Sequence, residues 1–189
     1  IDQQLAKLGF RASDVRSAVV SHLHFDHIGG IAHIPQADLL VSRDEWARLS
    51  RPRPERDWIL REHIELPGAN WRPVDFAPTD DPLLAPFGGA FDVTGDGSMM
   101  LVETPGHSPG SLSMLVRSEG LPTVLLIGDL AYDPQLMLRG IVPGTGDAAR
   151  LKQSYAKVRA LKDALPDMVI LAAHDPGASD LLNTAVGPG

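Results

Sequence analysis

The sequence predicts an α/β domain, and three observations predict it. Short apolar runs suited to buried strands alternate with segments of helical spacing. Turn formers are abundant, with 18 Gly and 16 Pro among 189 residues. Four of the strand-like runs end at a histidine or an aspartate. Hydrophobic residues make up 43% and charged residues 22%, the balance of a soluble globular chain rather than a fibre or a disordered tail. At this length the expectation is a single domain over residues 1–189.

The elements follow in order. Ile1, Leu5 and Leu8 recur at helical spacing before Gly9, which predicts a short helix over 2–8. Ser17-Ala18-Val19-Val20-Ser21 reads as a buried strand. Ile28 to Ile34 has room for one or two helical turns before Pro35. Leu39-Leu40-Val41 reads as a second strand, and Asp44 to Leu49 as helical. Arg51 to Pro54 is a Pro/Arg linker, followed by a predicted helix around Glu55–Ile64. Residues 66–97, dense in Pro, Gly and Asp, support no assignment. Strands are then predicted at Met99–Val102, Leu112–Val116 and Thr123–Ile127. Asp147 opens the clearest helix, with Leu151, Tyr155, Val158 and Leu161 down one face, closing before Pro166. Met168–Leu171 is the last strand, and there is no internal repeat or low-complexity block.

Composition excludes several functions. No run approaches the roughly 18 apolar residues needed to span a bilayer, so no membrane partner is expected. With no cysteine there are neither disulfides nor thiolate metal sites. A formal charge of -7 argues against a nucleic-acid partner, whose phosphates attract Lys and Arg. The chain begins at Ile1 without Met, so a processed or incomplete N-terminus is expected, with any targeting signal out of view. A cytoplasmic location is the favoured expectation.

The decisive stretch is Ser21-His22-Leu23-His24-Phe25-Asp26-His27, an H-x-H-x-D-H pattern. In an extended segment alternation puts His22 and His24 on one side. Asp26 and His27 follow where the chain must turn, and can face a neighbouring position. Two imidazoles aimed one way, and a carboxylate with an imidazole aimed another, suit two adjacent cations. Val19-Val20 leads to His22, Leu101-Val102 to His107, Leu126-Ile127 to Asp129, and Ile170-Leu171 to His174. Strand ends gather functional groups because the sheet holds them rigidly while the loops vary. The expected assignment gives one metal His22, His24 and His107, and the other Asp26, His27 and His174. Asp129, with two carboxylate oxygens, bridges them. Two divalent ions are therefore expected, zinc first, although His and Asp donors also accept Fe, Co and Mn.

These motifs together resemble the metallo-β-lactamase superfamily: the histidine–aspartate signature, His107 in T-P-G-H-S-P-G, Asp129 in I-G-D and His174 in A-A-H-D. The resemblance runs from position 17 to 176. It implies an αββα four-layer sandwich, two sheets packed face to face between helices. In that family strands of the first sheet largely precede the signature. Only about 20 residues precede it here, so the chain is expected to lack part of its N-terminal half. Tyr132, three residues after Asp129 in G-D-L-A-Y, is similar to a tyrosine of the N-acyl homoserine lactone lactonases that contacts the substrate carbonyl. The resemblance thus implies a quorum-quenching hydrolase that opens a small-molecule lactone. Hydroxide shared by two ions would attack the carbonyl, Tyr132 would stabilise the oxyanion, and Asp26 would carry the proton to the leaving alkoxide. A glyoxalase-II-like thioesterase, a β-lactamase or an organophosphate hydrolase could use a related site. A homodimer is one open assembly state.

Rival motifs are weaker. Gly106-His107-Ser108-Pro109-Gly110 spells G-x-S-x-G, and Ser108, Asp129 and His174 follow in the chain order of a serine triad. That mechanism needs the backbone N–H of the residue after the nucleophile, and Pro109 has none. Gly144-Thr145-Gly146-Asp147-Ala148-Ala149 resembles a dinucleotide-binding turn but lacks a strand to feed it. A helix start capped by Asp147 accounts for it better. His33 and His63 are expected at or near the surface, the arginines between Arg48 and Arg61 on a solvated face, and Trp46 and Trp58 in the core rather than on a pocket wall.

Overall fold

Parallel strand pairing organises the first 74 residues, as seen in a computed structural model that describes residues 1–187. Helix α1 (Asp2–Lys7) is followed by strand β1 (Ser17–Val19), the short helix α2 (Phe25–Ile28) and strand β2 (Asp38–Ser42). Two more single turns, α3 (Arg43–Trp46) and α4 (Arg61–Ile64), lead to β3 (Asn70–Val74). The three strands form a parallel sheet in the order β1-β2-β3, with Val19 opposite Leu40 and Leu40 opposite Arg72. Its core is aliphatic: Val20, Leu23, Ile28, Leu39, Val41, Ile59 and Ile64 are all buried. Each such side chain contributes about 1.5–3 kcal/mol when fully removed from water. Pro73 falls on β3, an edge strand among the described residues, the position in which sheets tolerate proline's missing N–H.

The second compact unit begins at Asp75. It holds β4 (Ala90–Asp92), β5 (Met99–Glu103), β6 (Leu112–Val116), β7 (Val124–Leu126), α5 (Pro134–Leu138), α6 (Ala148–Ala164), β8 (Val169–Leu171) and α7 (Ala178–Val186). The sheet runs β4-β5-β6-β7-β8, antiparallel until β8 joins β7 in parallel, with Leu126 opposite Leu171. A parallel return needs a long crossover, and α5 and α6 supply it. Leu151, Tyr155, Val158 and Leu161 of α6 are buried in one cluster with Met100, Val102, Leu115, Leu125 and Ile170 of the sheet. Asp147 caps α6, its Oδ1 accepting from Ala149 N at 2.9 Å and Arg150 N at 3.1 Å, a contact typically worth about 1 kcal/mol.

Several sequence expectations need correction. The helix expected around 55–64 is broken into a 3₁₀ turn, Pro54–Asp57, and α4. Between them Trp58 adopts a left-handed φ of 59°, and its carbonyl accepts from Phe25 N at 3.1 Å rather than continuing a helical ladder. Trp58 is 64% exposed, its ring tilted at 44° to that of Phe25 with centroids 6.0 Å apart, so it is not a core residue. Arg48 is buried in an ion pair instead of lying on a solvated face. The unassigned stretch 66–97 contains β3, β4 and a 3₁₀ turn, Ala85–Phe87. Helices α5 and α7 were not anticipated, although Asp133-Pro134, a cap followed by proline at the first helical position, signals α5. Among the described residues no helix is long and apolar enough to cross a membrane.

Candidate metal centre

The first group of ligand-type side chains lies just beyond β1. Val20 extends that pairing by donating to Leu40 O at 2.8 Å, and the chain then leaves the sheet as Ser21-His22-Leu23-His24. Leu23, fully buried, pins the segment from the middle, with a histidine on either side. His22 is also fully buried, and its Nδ1 lies 3.1 Å from Ser21 Oγ. A proton on Nδ1 donated to that hydroxyl leaves the Nε2 lone pair available as a ligand. His22 Nε2 stands 3.0 Å from His24 Nδ1, the rings meeting edge to face at 80°. Asp26 and His27 sit in α2, one turn on, where the chain curls back beside His22. The His22 and His27 ring centroids are 4.1 Å apart, and Asp26 Oδ2 lies 3.6 Å from His27 Nε2.

A second group is built in the other unit from three loops at strand ends. His107 rides the β5–β6 connection, which is clamped to α6: Asp147 N donates to Gly106 O at 2.8 Å and Ser154 Oγ to Pro105 O at 2.7 Å. A Cβ on Gly106 would lie 2.7 Å from the Leu151 side chain, so the loop meets the helix at glycine contact distance. Asp129 and His174 leave adjacent parallel strands at the same end of the sheet. Ile127 N donates to Leu171 O at 2.9 Å, and Ala173 N to Gly128 O at 3.1 Å. Asp129 is buried, and one oxygen, Oδ2, lies 3.5 Å from His107 Nε2 and 3.4 Å from His174 Nε2. Tyr132 stands edge-on to both imidazoles, at centroid separations of 6.2 Å from His107 and 5.6 Å from His174. Its hydroxyl lies 3.3 Å from Thr145 Oγ1.

The two separations to Asp129 fit a shared cation better than hydrogen bonding alone. An N–H···O bond has its donor and acceptor about 2.7–3.2 Å apart. Two ligand atoms each about 2.0–2.1 Å from one tetrahedral zinc lie about 3.3–3.4 Å from each other. The nitrogen-to-Asp129 distances, 3.5 and 3.4 Å, lie at or just beyond that second spacing, and the donors are the neutral-imidazole and carboxylate set that zinc takes. The sequence-predicted ligands are thus grouped as His22, His24, Asp26 and His27 in one unit, and His107, Asp129 and His174, with Tyr132, in the other. Ser108, the rival nucleophile, is buried with its Oγ 2.7 Å from Ser111 Oγ, an arrangement that locks the loop. Both His33 and His63 are at the surface.

Sequence reasoning missed the supporting residues. Ser21, Glu45 and Arg48 surround the first group, and Thr145 meets Tyr132 in the second. Only Glu45 left a sequence trace, as the fourth residue of Ser42-Arg43-Asp44-Glu45, an S-x-x-E helix-start pattern.

A family model described as the metallo-beta-lactamase superfamily matches residues 1–174. The chain belongs to this superfamily. Its fold is the metallo-β-lactamase fold, as similarity to solved structures also shows. The structure of an N-acyl homoserine lactone hydrolase with the product N-hexanoyl-L-homoserine bound at its catalytic metal centre superimposes with a TM-score of 0.74 at 25% identity, covering 95% of this chain and 64% of that one. Among curated metallo-β-lactamase relatives, the N-acyl homoserine lactonase AttM of Agrobacterium fabrum (strain C58) is 34% identical over 184 residues, 93% of this chain. An N-acyl homoserine lactonase of Bacillus cereus is 28% identical over 173 residues, 90% of this chain. The chain spans 64% of the length of the Agrobacterium relative and 60% of the Bacillus one.

Proposed function

We propose that this chain is the metal-binding part of a hydrolase that opens the lactone ring of N-acyl homoserine lactones, the two units acting together as one domain. The observation that carries the reading is the convergence of His107 and His174 on a single oxygen of Asp129, with Tyr132 edge-on to both rings. The lactonase relatives supply the substrate class. His22, His24 and His107 would hold one divalent ion, Asp26, His27 and His174 a second, and Asp129 would bridge them. Zinc is the first choice for such donors.

When bound, such ions acidify water and polarise a carbonyl. The protein's own groups do the rest. Tyr132, whose hydroxyl lies beside Thr145, would donate a hydrogen bond to the lactone carbonyl oxygen as negative charge grows there. One well-placed donor of this kind is worth about 3 kcal/mol of barrier. Asp26 is exposed, and its carboxylate would take a proton from the attacking water and pass it to the leaving alkoxide as the ring C–O bond breaks, giving the hydroxy acid without a covalent enzyme intermediate. Asp129 is buried, with Oδ2 within 3.5 Å of Nε2 of both His107 and His174, so its loss would remove the one carboxylate common to both.

The test is hydrolysis of a homoserine lactone panel beside a thioester and a β-lactam, with metal content measured on the same samples. Lactone turnover with two bound ions is expected. Thioester turnover without lactone turnover would overturn the substrate assignment. Asp129→Ala is expected to lose metal as well as rate, and a variant that keeps two tight ions would remove the bridging role.

A further inference from the structure

The backbone between the first two histidines is held by a buried acid outside the ligand set. Leu23 N donates to Glu45 Oε1 at 3.1 Å, and Glu45 is fully buried. The same oxygen accepts from Arg48 Nη1 at 2.7 Å, and Arg48 reaches on to Asp57 Oδ2 at 3.7 Å. Glu45 is itself anchored at the β2–α3 corner, where its backbone N donates to Ser42 Oγ at 3.0 Å.

Burying a carboxylate and a guanidinium is costly, and apolar residues of similar volume often serve stability as well. A buried pair aimed at one particular N–H therefore invites a positional explanation. Leu23 is the only residue between His22 and His24, so fixing its amide fixes the peptide planes from which both imidazoles project. The 3.0 Å gap between His22 Nε2 and His24 Nδ1 is the geometry that results.

We propose that Glu45 is a positioning residue for metal uptake by the His22–His24 pair, acting through the Leu23 amide, with Arg48 neutralising its charge. The inference rests on the reading that His22 and His24 are ligands. It concerns the acceptor oxygen rather than the ion pair, and the two roles predict opposite rankings. Glu45→Gln keeps an oxygen at the same reach but gives up the charge. Glu45→Asp keeps the charge but withdraws the oxygen by one methylene.

The experiment measures zinc affinity of the metal-free protein by competition with a chromophoric chelator, and the visible spectrum after cobalt loading. Thermal melting of each metal-free form is recorded alongside. Glu45→Gln, or Glu45→Gln with Arg48→Met where the unpaired guanidinium unfolds the single variant, is expected to bind zinc within about threefold of the native chain. Glu45→Asp is expected to lose tenfold or more for one ion, the scale on which groups that orient metal ligands act. The reverse ranking, or equal affinities, would overturn the proposal and leave an ordinary buried ion pair. If Glu45→Asp does not fold, the Gln/Met variant decides: native affinity supports the positioning role and a tenfold loss overturns it. His22→Ala separates the two layers of the argument. If it takes up zinc as the native chain does, the ligand reading has failed, whatever the Glu45 variants show.

Discussion

Gly146 and Gly144 lie two residues apart in one loop and should respond oppositely to the same substitution. Gly146 has a φ of +81°, and a Cβ there would overlap Gly106 O while standing 2.9 Å from His107 Cα. Among the described residues, no atom lies within 4 Å of a Cβ on Gly144. For Gly146→Ala the left-handed backbone alone costs about 1–2 kcal/mol. Forcing a methyl into packed backbone adds about 1–3 kcal/mol, because neither the Gly106 carbonyl nor the His107 backbone can rotate aside as a side-chain tip would. The sum, about 2–5 kcal/mol, corresponds to roughly 4–20 °C in melting temperature at the 2–4 °C per kcal/mol usual for a chain of this size. The displaced atoms belong to the loop that aims His107 at Asp129, so metal content should fall with stability. Circular dichroism melts of metal-free protein and elemental analysis of loaded protein read the two effects. Gly144→Ala should change neither by more than the measurement error. Equal behaviour of the two variants would refute the claim that the Gly106–Gly146 contact sets the position of His107.

Other perturbations test separate parts of the structure. The Tyr155 hydroxyl is buried with no hydrogen-bond partner among the described residues, and burial pushes its pKa up to about 12. Tyr155→Phe should therefore stabilise the protein by about 1–2 kcal/mol in urea unfolding, and a loss of stability would mean the hydroxyl is satisfied after all. In the β4–β5 turn, hydroxyl hydrogen bonds from Ser98 and then Thr94, with the Ser98 backbone N–H, hold Asp96 down at about 2. A carboxylate depressed in the folded state contributes stability fully above the unfolded value of about 3.9. That contribution is lost as pH falls through about 2. Asp96→Asn should flatten the acid branch of the stability curve between about pH 4 and 2, and an unchanged slope would show that the turn does not couple to folding.

Much was legible before any coordinates. Short apolar runs located β5, β6, β7 and β8, and helical spacing with the Asp147 cap located α6 to within a residue, because both signals are local. The H-x-H-x-D-H stretch and the residues after three later strands marked every candidate ligand, since metal chemistry restricts the side-chain types that can serve. Where reading failed, distant atoms had overridden local preference. Trp58 breaks an expected helix because its carbonyl is taken by Phe25 N, some thirty residues earlier in the chain. Arg48, read as solvated, is drawn inside by Glu45. The strands within 66–97 escaped because their partners, β2 and β5, define them more than their own Pro- and Asp-rich composition does.

What the amino-acid order determined by itself was the chemistry on offer: which side chains can bind a cation, which segments must be buried, and where the longest helix starts. Tertiary structure alone decided how His107 and His174 come to face one oxygen of Asp129, and how Glu45 reaches the amide of Leu23 across 22 residues. Propensities and periodicities act over a few residues. Hydrogen bonds between segments far apart in the chain depend on the register of the sheets and the packing beneath them, and these exist only once the chain has folded.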